Sequence, residues 1–322
     1  MAERNTDWWI YKGTGKQNSD IINQLPDPPP WRRFSETSDE EKGKRFKPTS
    51  EQVTELVNAA LYLRRPLLVT GKPGTGKSSL AYAVAYELNL GKVLQWSITT
   101  KSTLKDGLYQ YDAIARLQDA SLQKDKNKPP DISKYLKLGP LGTAFTAIGK
   151  PRVLLIDEID KSDIDLPNDL LHIFEDGEFE IQELSRLPDE EQYRKIDISS
   201  YDKSEKVAIK QGRVQCNEFP LIIMTSNGER EFPPAFLRRC LRLNMEIPNK
   251  THLVEIVESH LKIVDMDIME TLIENFVKKR ETKELATDQL LNAIFLAMHN
   301  IDPFERDRND LGEALWKELS NL

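Results

Sequence analysis

Short apolar runs alternate with stretches of helical spacing through the middle of the chain. Four runs have the length of buried strands, at residues 67–70, 92–98, 153–156 and 221–224. The segments between them repeat apolar residues at intervals of three and four, which is the spacing of one helix face. Strands and helices that alternate in this way form a parallel sheet with helices on both faces. The pattern therefore predicts an α/β fold, arranged as an αβα sandwich.

The pattern changes at both ends of this region. After Pro248 helical stretches follow one another without a strand, which predicts a small helical domain at 249–322. Residues 1–46 combine tryptophans with a proline cluster and cannot form a core of their own. Because tryptophans are costly to leave in water, we expect this extension to be a docking arm rather than a flexible leader. The sheet domain then spans 47–248, and residues 193–218 form an inserted hairpin or loop within it.

Composition narrows the class of protein. The 322 residues include 45 basic and 52 acidic ones, and the net charge of −7 disfavours a protein that mainly coats nucleic acid. The two cysteines, Cys216 and Cys240, lie in no disulfide or metal-binding pattern. No apolar run approaches the roughly 20 residues of a membrane helix, and the N-terminus lacks the apolar core of a signal peptide. A cytoplasmic protein is therefore expected.

The first predicted strand runs directly into a glycine-rich loop and then into a helical pattern. The loop and the start of the helix consist of Gly71, Lys72, Pro73, Gly74, Thr75, Gly76, Lys77, Ser78 and Ser79. Glycines let backbone N–H groups curl around phosphate oxygens, and the helix N-terminus adds partial positive charge. In such a P-loop Lys77 reaches the β- and γ-phosphates, while the Ser78 hydroxyl holds Mg²⁺. These nine residues are therefore predicted to bind ATP with Mg²⁺.

Two carboxylates end the central predicted strand. Asp157 lies at the carboxyl end of that strand, where open α/β sheets bind ligands, and is predicted to orient Mg²⁺. Glu158 follows it and is suited to polarise the attacking water, because phosphoryl transfer depends mainly on positioning and charge neutralisation. Two solvated acids at a strand end are the alternative. The P-loop upstream favours the catalytic interpretation.

Polar residues after the last predicted strand complete the candidate site. Asn227 would hydrogen-bond the γ-phosphate or the attacking water, and a turn-forming asparagine is the alternative. Arg238 and Arg239 lie on a predicted short helix, where in a monomer they would be ordinary surface charges. In a ring, one of them would reach the γ-phosphate of the neighbouring subunit as an arginine finger. Arg239 is the first choice because it lies closest to the next apolar strand.

Four segments together resemble the Walker A, Walker B, sensor 1 and arginine-finger motifs of AAA+ ATPases, namely residues 71–78, 153–158, 224–227 and 235–239. Within AAA+ proteins the chain is similar to the MoxR family in three further segments, residues 138–141, 157–161 and 168–171. The resemblance covers about residues 49–300. It implies a large αβα ATPase domain followed by a helical lid, with 193–218 as a pre-sensor hairpin.

The resemblance also implies partners that the residues themselves do not indicate. ATP would bind at the boundaries between subunits of a homo-oligomeric ring, commonly a hexamer. MoxR relatives often act as chaperone-like remodelling ATPases beside a protein with a von Willebrand factor A domain, and related ATPases occur in bacterial conflict systems. The main hypothesis is therefore an ATP-hydrolysing ring protein that remodels a protein partner.

One position departs from the family pattern. MoxR-like lids commonly carry a sensor 2 arginine where this chain has Gln289, and a neutral amide brings no charge to the γ-phosphate. Arg280 is a candidate substitute. The departure keeps a second hypothesis open, an ATP-dependent oligomerisation switch that hydrolyses slowly. A nucleic-acid-stimulated motor is a third hypothesis, and the net acidic charge counts against it.

Overall fold

A computed structural model describes residues 6–17, 19–33, 39–122, 130–261, 265–304 and 309–318. In chain order its helices and strands are α1 (Asp39–Arg45), α2 (Glu51–Leu63), β1 (Leu67–Thr70), α3 (Lys77–Glu87), β2 (Leu94–Ser97), α4 (Leu104–Leu108), β3 (Tyr109–Tyr111), α5 (Ala113–Leu122), β4 (Leu136–Leu138), α6 (Pro140–Phe145), β5 (Val153–Asp157), α7 (Leu166–Asp176), β6 (Glu178–Glu180), α8 (Gln182–Ser185), β7 (Lys195–Ser199), β8 (Lys206–Lys210), β9 (Arg213–Gln215), β10 (Leu221–Ser226), α9 (Pro234–Arg239), β11 (Leu241–Asn244), α10 (Lys250–His260), α11 (Met266–Arg280), α12 (Thr287–Ala297) and α13 (Asn309–Leu315).

The chain divides into two compact units. The sheet unit comprises Pro48–Lys72 and Gly76–Glu246, and the helical unit comprises Met1–Lys47, Pro73–Thr75 and Ile247–Leu322. The boundaries expected from the sequence, at residues 46 and 248, stay predictions about independent domains.

The main sheet of the sheet unit is parallel and has five strands in the order β11-β1-β10-β5-β2. All six residues of β10 are buried, which requires cover on both faces of the sheet. Helices α3 and α6 pack against strands of this sheet. The predicted α/β fold with a parallel sheet is confirmed. Because β1, β10 and β5 are neighbours, the polar residues at their carboxyl ends lie side by side.

A second sheet in the same unit was not expected from the sequence. Its strands are short, run mainly antiparallel and follow the order β3-β4-β7-β8-β9-β6. The inserted segment 193–218 contributes β7 and β8 as a hairpin, together with β9. A helix is expected from the apolar spacing of residues 108–122, but Tyr109–Tyr111 instead pairs with β4 as β3. Pairing with a distant strand thus overrides the local spacing at its start.

The helical unit is built around α10, α11 and α12. Trp316 is buried in its core and packs edge-on against Phe276, with ring centroids 5.4 Å apart. Trp31 of the predicted N-terminal extension packs against the same cluster, with its ring 5.9 Å from that of Phe295. The Ser259 hydroxyl of α10 donates to the carbonyl of Arg45, the last residue of α1. Residues 1–5, 18 and 34–38 of the extension lie outside the described part of the chain.

None of the helices in the described ranges is both long enough and apolar enough to span a bilayer.

Candidate functional site

The loop between β1 and α3 has the backbone that its glycines allow. Gly71 and Gly76 have φ angles of +148° and +86°, which L-residues with a side chain rarely adopt. Lys77 begins α3 and is buried, and its Nζ donates to the carbonyls of Gly71 and Lys72 at 2.7 and 2.9 Å. The loop therefore curls around its own lysine at the N-terminus of a helix, and binding of phosphate by these residues stays a prediction.

The electrostatics around Lys77 combine burial with nearby acids. Burial lowers the pKa of Lys77 from its usual value, while the carboxylates of Asp160, Asp157 and Glu158 oppose that shift. Removing a cation from water disfavours its charged form, whereas negative neighbours favour it. A buried amine with carboxylates nearby is suited to bind a phosphate, because the negative charge of the phosphate can take the place of the carboxylates beside the amine.

A chain of hydrogen bonds joins α3 to the ends of two strands. The Ser78 hydroxyl donates to Asp157 Oδ1 at 2.7 Å, and the Thr225 hydroxyl donates to the same oxygen at 2.6 Å. Thr225 in turn accepts from the backbone N–H of Glu158 at 2.9 Å. The structure thus brings together Ser78 and Asp157, the two residues predicted to hold Mg²⁺. Both are oxygen donors, the type of ligand that Mg²⁺ prefers.

Glu158 is held in an unusual backbone conformation directly after β5. Its φ of +61° is left-handed, which a non-glycine residue adopts only where the surroundings impose it. Its carboxylate accepts from Lys161 Nζ at 2.9 Å, and both side chains remain about two-fifths exposed. The predicted catalytic carboxylate is therefore accessible and is paired within its own turn.

Asn227 lies immediately after β10, and its backbone N–H donates to Asp160 Oδ2 at 2.9 Å. Asp160 is only 5% exposed and also accepts from the backbone N–H of Glu229 at 3.1 Å. The turn that carries Asn227 is therefore fixed by a buried carboxylate from the segment after β5. The sequence predicts no role for that carboxylate.

Arg238 and Arg239 end α9, as the sequence predicts. The Arg239 side chain forms an ion pair with Glu175 of α7 and also donates to the carbonyl of Ala235 at 3.3 Å. Arg65 donates through Nε to the carbonyl of Arg239 at 3.0 Å and through a terminal nitrogen to the carbonyl of Arg238. Two side chains thus hold the end of α9. Glu175 binds the guanidinium of Arg239, and Arg65 binds the backbone carbonyls of Arg238 and Arg239.

The structure separates these arginines from the P-loop of the same chain. Leu241, the first residue of β11, pairs with Leu67 at the beginning of β1, while the loop follows Thr70 at its end. The predicted site residues therefore form two groups at opposite edges of the main sheet. Lys77, Ser78, Asp157, Glu158 and Asn227 lie at the carboxyl edge, and the two arginines lie at the other.

Three residues of the predicted loop belong to the helical unit, Pro73–Thr75. A Cβ atom on Gly74 would lie 2.7 Å from the Cβ of Ala286 and 2.8 Å from the backbone nitrogen of Thr287. The φ of Gly74 is +75°, so both the available space and the backbone require glycine at this position.

The two lid residues singled out from the sequence are engaged within the helical unit. Gln289 accepts from the backbone N–H of Ala286 at 2.8 Å and donates to the carbonyls of Leu315 and Lys317 at 3.1 and 2.8 Å. Arg280 donates to the carbonyls of Leu285 and Pro248, and burial lowers its pKa to about 10. Both side chains therefore serve to hold lid segments together in this structure.

The residues at the carboxyl edge fit a magnesium nucleotide. A helix N-terminus, a buried lysine and a loop with positive φ angles suit phosphate, and the Ser78–Asp157 pair suits Mg²⁺. Within the described ranges no cluster of three or more His, Cys, Asp or Glu could hold a metal by itself. In P-loop proteins phosphate oxygens supply part of the coordination of Mg²⁺.

Several residues of the two groups are not evident from the sequence. Thr225, Asp160, Arg65 and Glu175 each contact a predicted site residue from 64 or more positions away in the chain. The one local signal is the placement of Asp160 two residues after Glu158, next to Lys161.

Comparison with known proteins gives a family match over more than half of the chain. Residues 65–262 match the family described as AAA domain (Cdc48 subfamily). The chaperone protein ClpB of Chlamydia muridarum is 27% identical over 225 residues, which cover 65% of this chain and 23% of that protein. ClpB of Chlamydia trachomatis matches with the same identity and coverage. The chain thus spans less than a quarter of the length of these curated relatives.

Solved structures with similar folds share less sequence. NtrX from Brucella abortus, in complex with ADP, is 15% identical with a TM-score of 0.46, and the match covers 86% of this chain and 58% of that one. A RuvB mutant from Thermotoga maritima is 15% identical with a TM-score of 0.43, over 82% of this chain and 68% of that one. Similarity at this level does not establish a shared function.

Proposed function

The chain belongs to the AAA domain family, and from this membership we propose that it is an ATPase that couples hydrolysis to remodelling of a protein partner. One observation carries the proposal, the hydrogen-bonded chain from Ser78 through Asp157 and Thr225 to Glu158. It links the residues proposed to hold Mg²⁺ to the residue proposed to polarise the attacking water. Phosphoryl transfer requires that these groups be held in fixed relation.

Each residue of the carboxyl edge has a role in this proposal. Backbone N–H groups of the loop and Lys77 bind the phosphates, and Ser78 and Asp157 hold the metal. Bound Mg²⁺ would neutralise charge that develops on the phosphate oxygens. Glu158 orients and polarises the attacking water, and Asn227 donates its amide to the γ-phosphate or to that water. Arg239, or else Arg238, acts on the nucleotide of a neighbouring subunit.

Further parts of the proposed function rest on the resemblance to MoxR proteins. They are a hexameric ring, a partner with a von Willebrand factor A domain and a role in a bacterial conflict system. A cytoplasmic location is proposed separately, because the two cysteines lie in no disulfide pattern. The name of the curated relatives, chaperone protein ClpB, supports remodelling of a protein as the output. Nucleic acid is not favoured as the substrate because the chain carries a net charge of −7.

Two variants test the ATPase. Lys77→Ala should lose nucleotide binding and turnover together, whereas Glu158→Gln should retain binding and lose turnover by at least about 100-fold. Turnover is measured as phosphate release with Mg²⁺, and binding with a fluorescent ATP analogue. Lys101→Ala and Glu87→Gln, which alter exposed residues of the same unit, are the matched controls and should behave as the parent does. An assembled parent protein that releases no phosphate would refute the proposed activity.

The bonding of Gln289 favours a second candidate function, a switch that binds ATP, changes its oligomeric state and hydrolyses slowly. Its amide is engaged by backbone groups of Ala286, Leu315 and Lys317 and carries no charge for the γ-phosphate. The two functions differ in the fate of bound ATP. A partner-stimulated steady-state rate supports the remodelling ATPase, whereas ATP that stays bound and intact in the assembled protein supports the switch.

A further inference from the structure

Asp160 is a buried acid next to the proposed site. It is 5% exposed and lies on a short helical turn at Ile159–Lys161, two residues after Glu158. Within the ranges that the structure describes, Asp160 takes part in no ion pair at salt-bridge distance. Buried carboxylates are usually paired with a cation or fully hydrogen-bonded, because the loss of hydration is costly. Asp160 therefore calls for an explanation beyond packing.

The bonds of Asp160 are directed at the turn that follows β10. Its Oδ2 accepts from the backbone N–H groups of Asn227 and Glu229, on either side of Gly228. Gly228 has a φ of +81°, and the backbone bends between the two donors. One carboxylate oxygen thus holds both sides of the bend. The position of this oxygen fixes the backbone nitrogen of Asn227 and thereby the direction in which the Asn227 side chain leaves the backbone.

The other oxygen marks Asp160 as more than a turn-forming residue. Oδ1 is buried, and no group among the described residues donates a hydrogen bond to it. Buried polar atoms without partners are rare, and in native proteins they tend to coincide with functional sites. Asp160 is also the first of three carboxylates that raise the pKa of Lys77 against the effect of burial.

We propose that Asp160 is a positioning residue for ATP hydrolysis, which holds the amide of Asn227 at the reaction site by fixing its backbone. The inference rests on the proposed ATPase function and adds a residue to that site. Asp160 contacts neither substrate nor metal in this role. It ties the segment after β5, which carries Glu158, to the segment after β10, which carries Asn227. The two groups proposed to act on the attacking water therefore share one support.

Substitutions at Asp160 separate positioning from general stability. Asp160→Ala removes both hydrogen bonds and should lower kcat on the order of 10- to 100-fold, while the Kd for ATP stays within about threefold of the parent value. Asp160→Asn keeps an acceptor oxygen and should restore kcat to within about threefold of the parent value. Asp131→Ala, which removes a carboxylate bonded to the backbone N–H of Ser133, is the control and should leave kcat unchanged.

A double-mutant cycle with Asn227 tests the proposed route of the effect. If Asp160 acts through Asn227, then Asp160→Ala combined with Asn227→Ala should be no slower than the slower single variant. If the double variant instead shows the product of the two single reductions in kcat, the inference is wrong. It is also wrong if the folded Asp160→Ala variant has the same kcat as the parent. Thermal unfolding of every variant establishes which of them are folded.

Two further outcomes keep the inference separate from the proposed function. If Asp160→Ala does not fold, Asp160→Glu takes its place, because it keeps the charge and displaces the acceptor oxygens by one methylene. It is expected to lower kcat about tenfold or more at unchanged nucleotide affinity, and a parental kcat would overturn the inference. A parent that hydrolyses ATP beside fully active Asp160 variants refutes only the positioning role. A parent without turnover refutes both claims.

Discussion

At the scale of single residues, Arg152 and Asp202 join the strand that carries Asp157 to the turn of a hairpin. Arg152 directly precedes β5, Asp202 lies between β7 and β8, and their side chains meet at 2.8 Å with little exposure of either. Burial opposes ionisation of Asp202, but hydrogen bonds from Arg152, Ser204 and Ser200 outweigh it and hold the pKa below its ordinary range. The hairpin is thereby anchored at the amino end of β5.

Asp202→Asn should destabilise the sheet unit by roughly 2 kcal/mol, because it leaves the Arg152 guanidinium poorly paired. Denaturant unfolding at pH 7 measures the loss. Asp189→Asn removes a carboxylate from an exposed pair with Arg194 and should cost much less. A carboxyl group whose pKa is lower in the folded state than in the unfolded state stabilises the fold at pH values above its unfolded-state pKa of about 4. This stabilisation is lost as the pH falls through the folded-state pKa. The gap between parent and variant should therefore shrink below about pH 4, and a constant gap would contradict the assignment.

Residues whose chemistry depends on local order could be predicted from the sequence, and residues defined by distant contacts could not. Lys77 and Ser78 follow from a strand, a glycine-rich loop and a helix that are contiguous in the chain. Asp160 carries a weak signal because its two donors lie 67 and 69 positions away. Arg65 carries none, because its acceptors are backbone carbonyls 173 and 174 positions away, which every residue possesses.

At the scale of elements, α7 and α9 are joined by the ion pair between Glu175 and Arg239. The hydrogen bond from Arg239 lowers the pKa of Glu175 below its ordinary value. An arginine that acts on the nucleotide of a neighbouring subunit must first leave this partner. The pair would therefore compete with that role.

Glu175→Gln should raise the ATPase rate of the assembled protein about two- to fivefold, because a partly exposed ion pair holds the arginine only weakly. The control is Glu178→Gln, which removes a partly exposed carboxylate paired with Arg213 and should leave the rate unchanged. Steady-state turnover at saturating ATP is the measurement. An unchanged or lower rate in Glu175→Gln would show that Glu175 supports Arg239 instead of competing for it.

The elements that apolar periodicity predicts are the long or fully buried ones. Strands β1, β5 and β10 have continuous apolar runs, and a parallel sheet is the arrangement that buries both of their faces. The second sheet escapes this approach because strands such as β3, β4 and β9 have three residues each and gain their order from pairing partners. A period of two cannot be recognised over so few positions.

At the scale of the whole molecule, the separation of the two groups of site residues leads to a test of the assembly. If Arg239 acts on a neighbouring subunit, Arg239→Ala and Lys77→Ala assemblies should each be inactive. A mixture of the two should regain activity, because some interfaces then combine an intact loop with an intact arginine. Random equal mixing in a ring with one type of interface gives about a quarter of the parent rate. Each variant mixed with itself is the control, and a mixture that stays inactive would contradict action between subunits.

In such a ring, strand β1 would connect the two groups of site residues. Arg65, which holds the end of α9, lies two residues before β1, and Gly71 follows its last residue. The strand is about 13 Å long and its backbone bonds it to β10 and β11, so it cannot lengthen or shorten when one end is displaced. A change at one subunit's phosphates would travel along β1 to the arginines that serve the next subunit. Hydrolysis in one subunit would then affect the neighbouring subunit on one side only, and successive hydrolysis events would proceed around the ring in one direction.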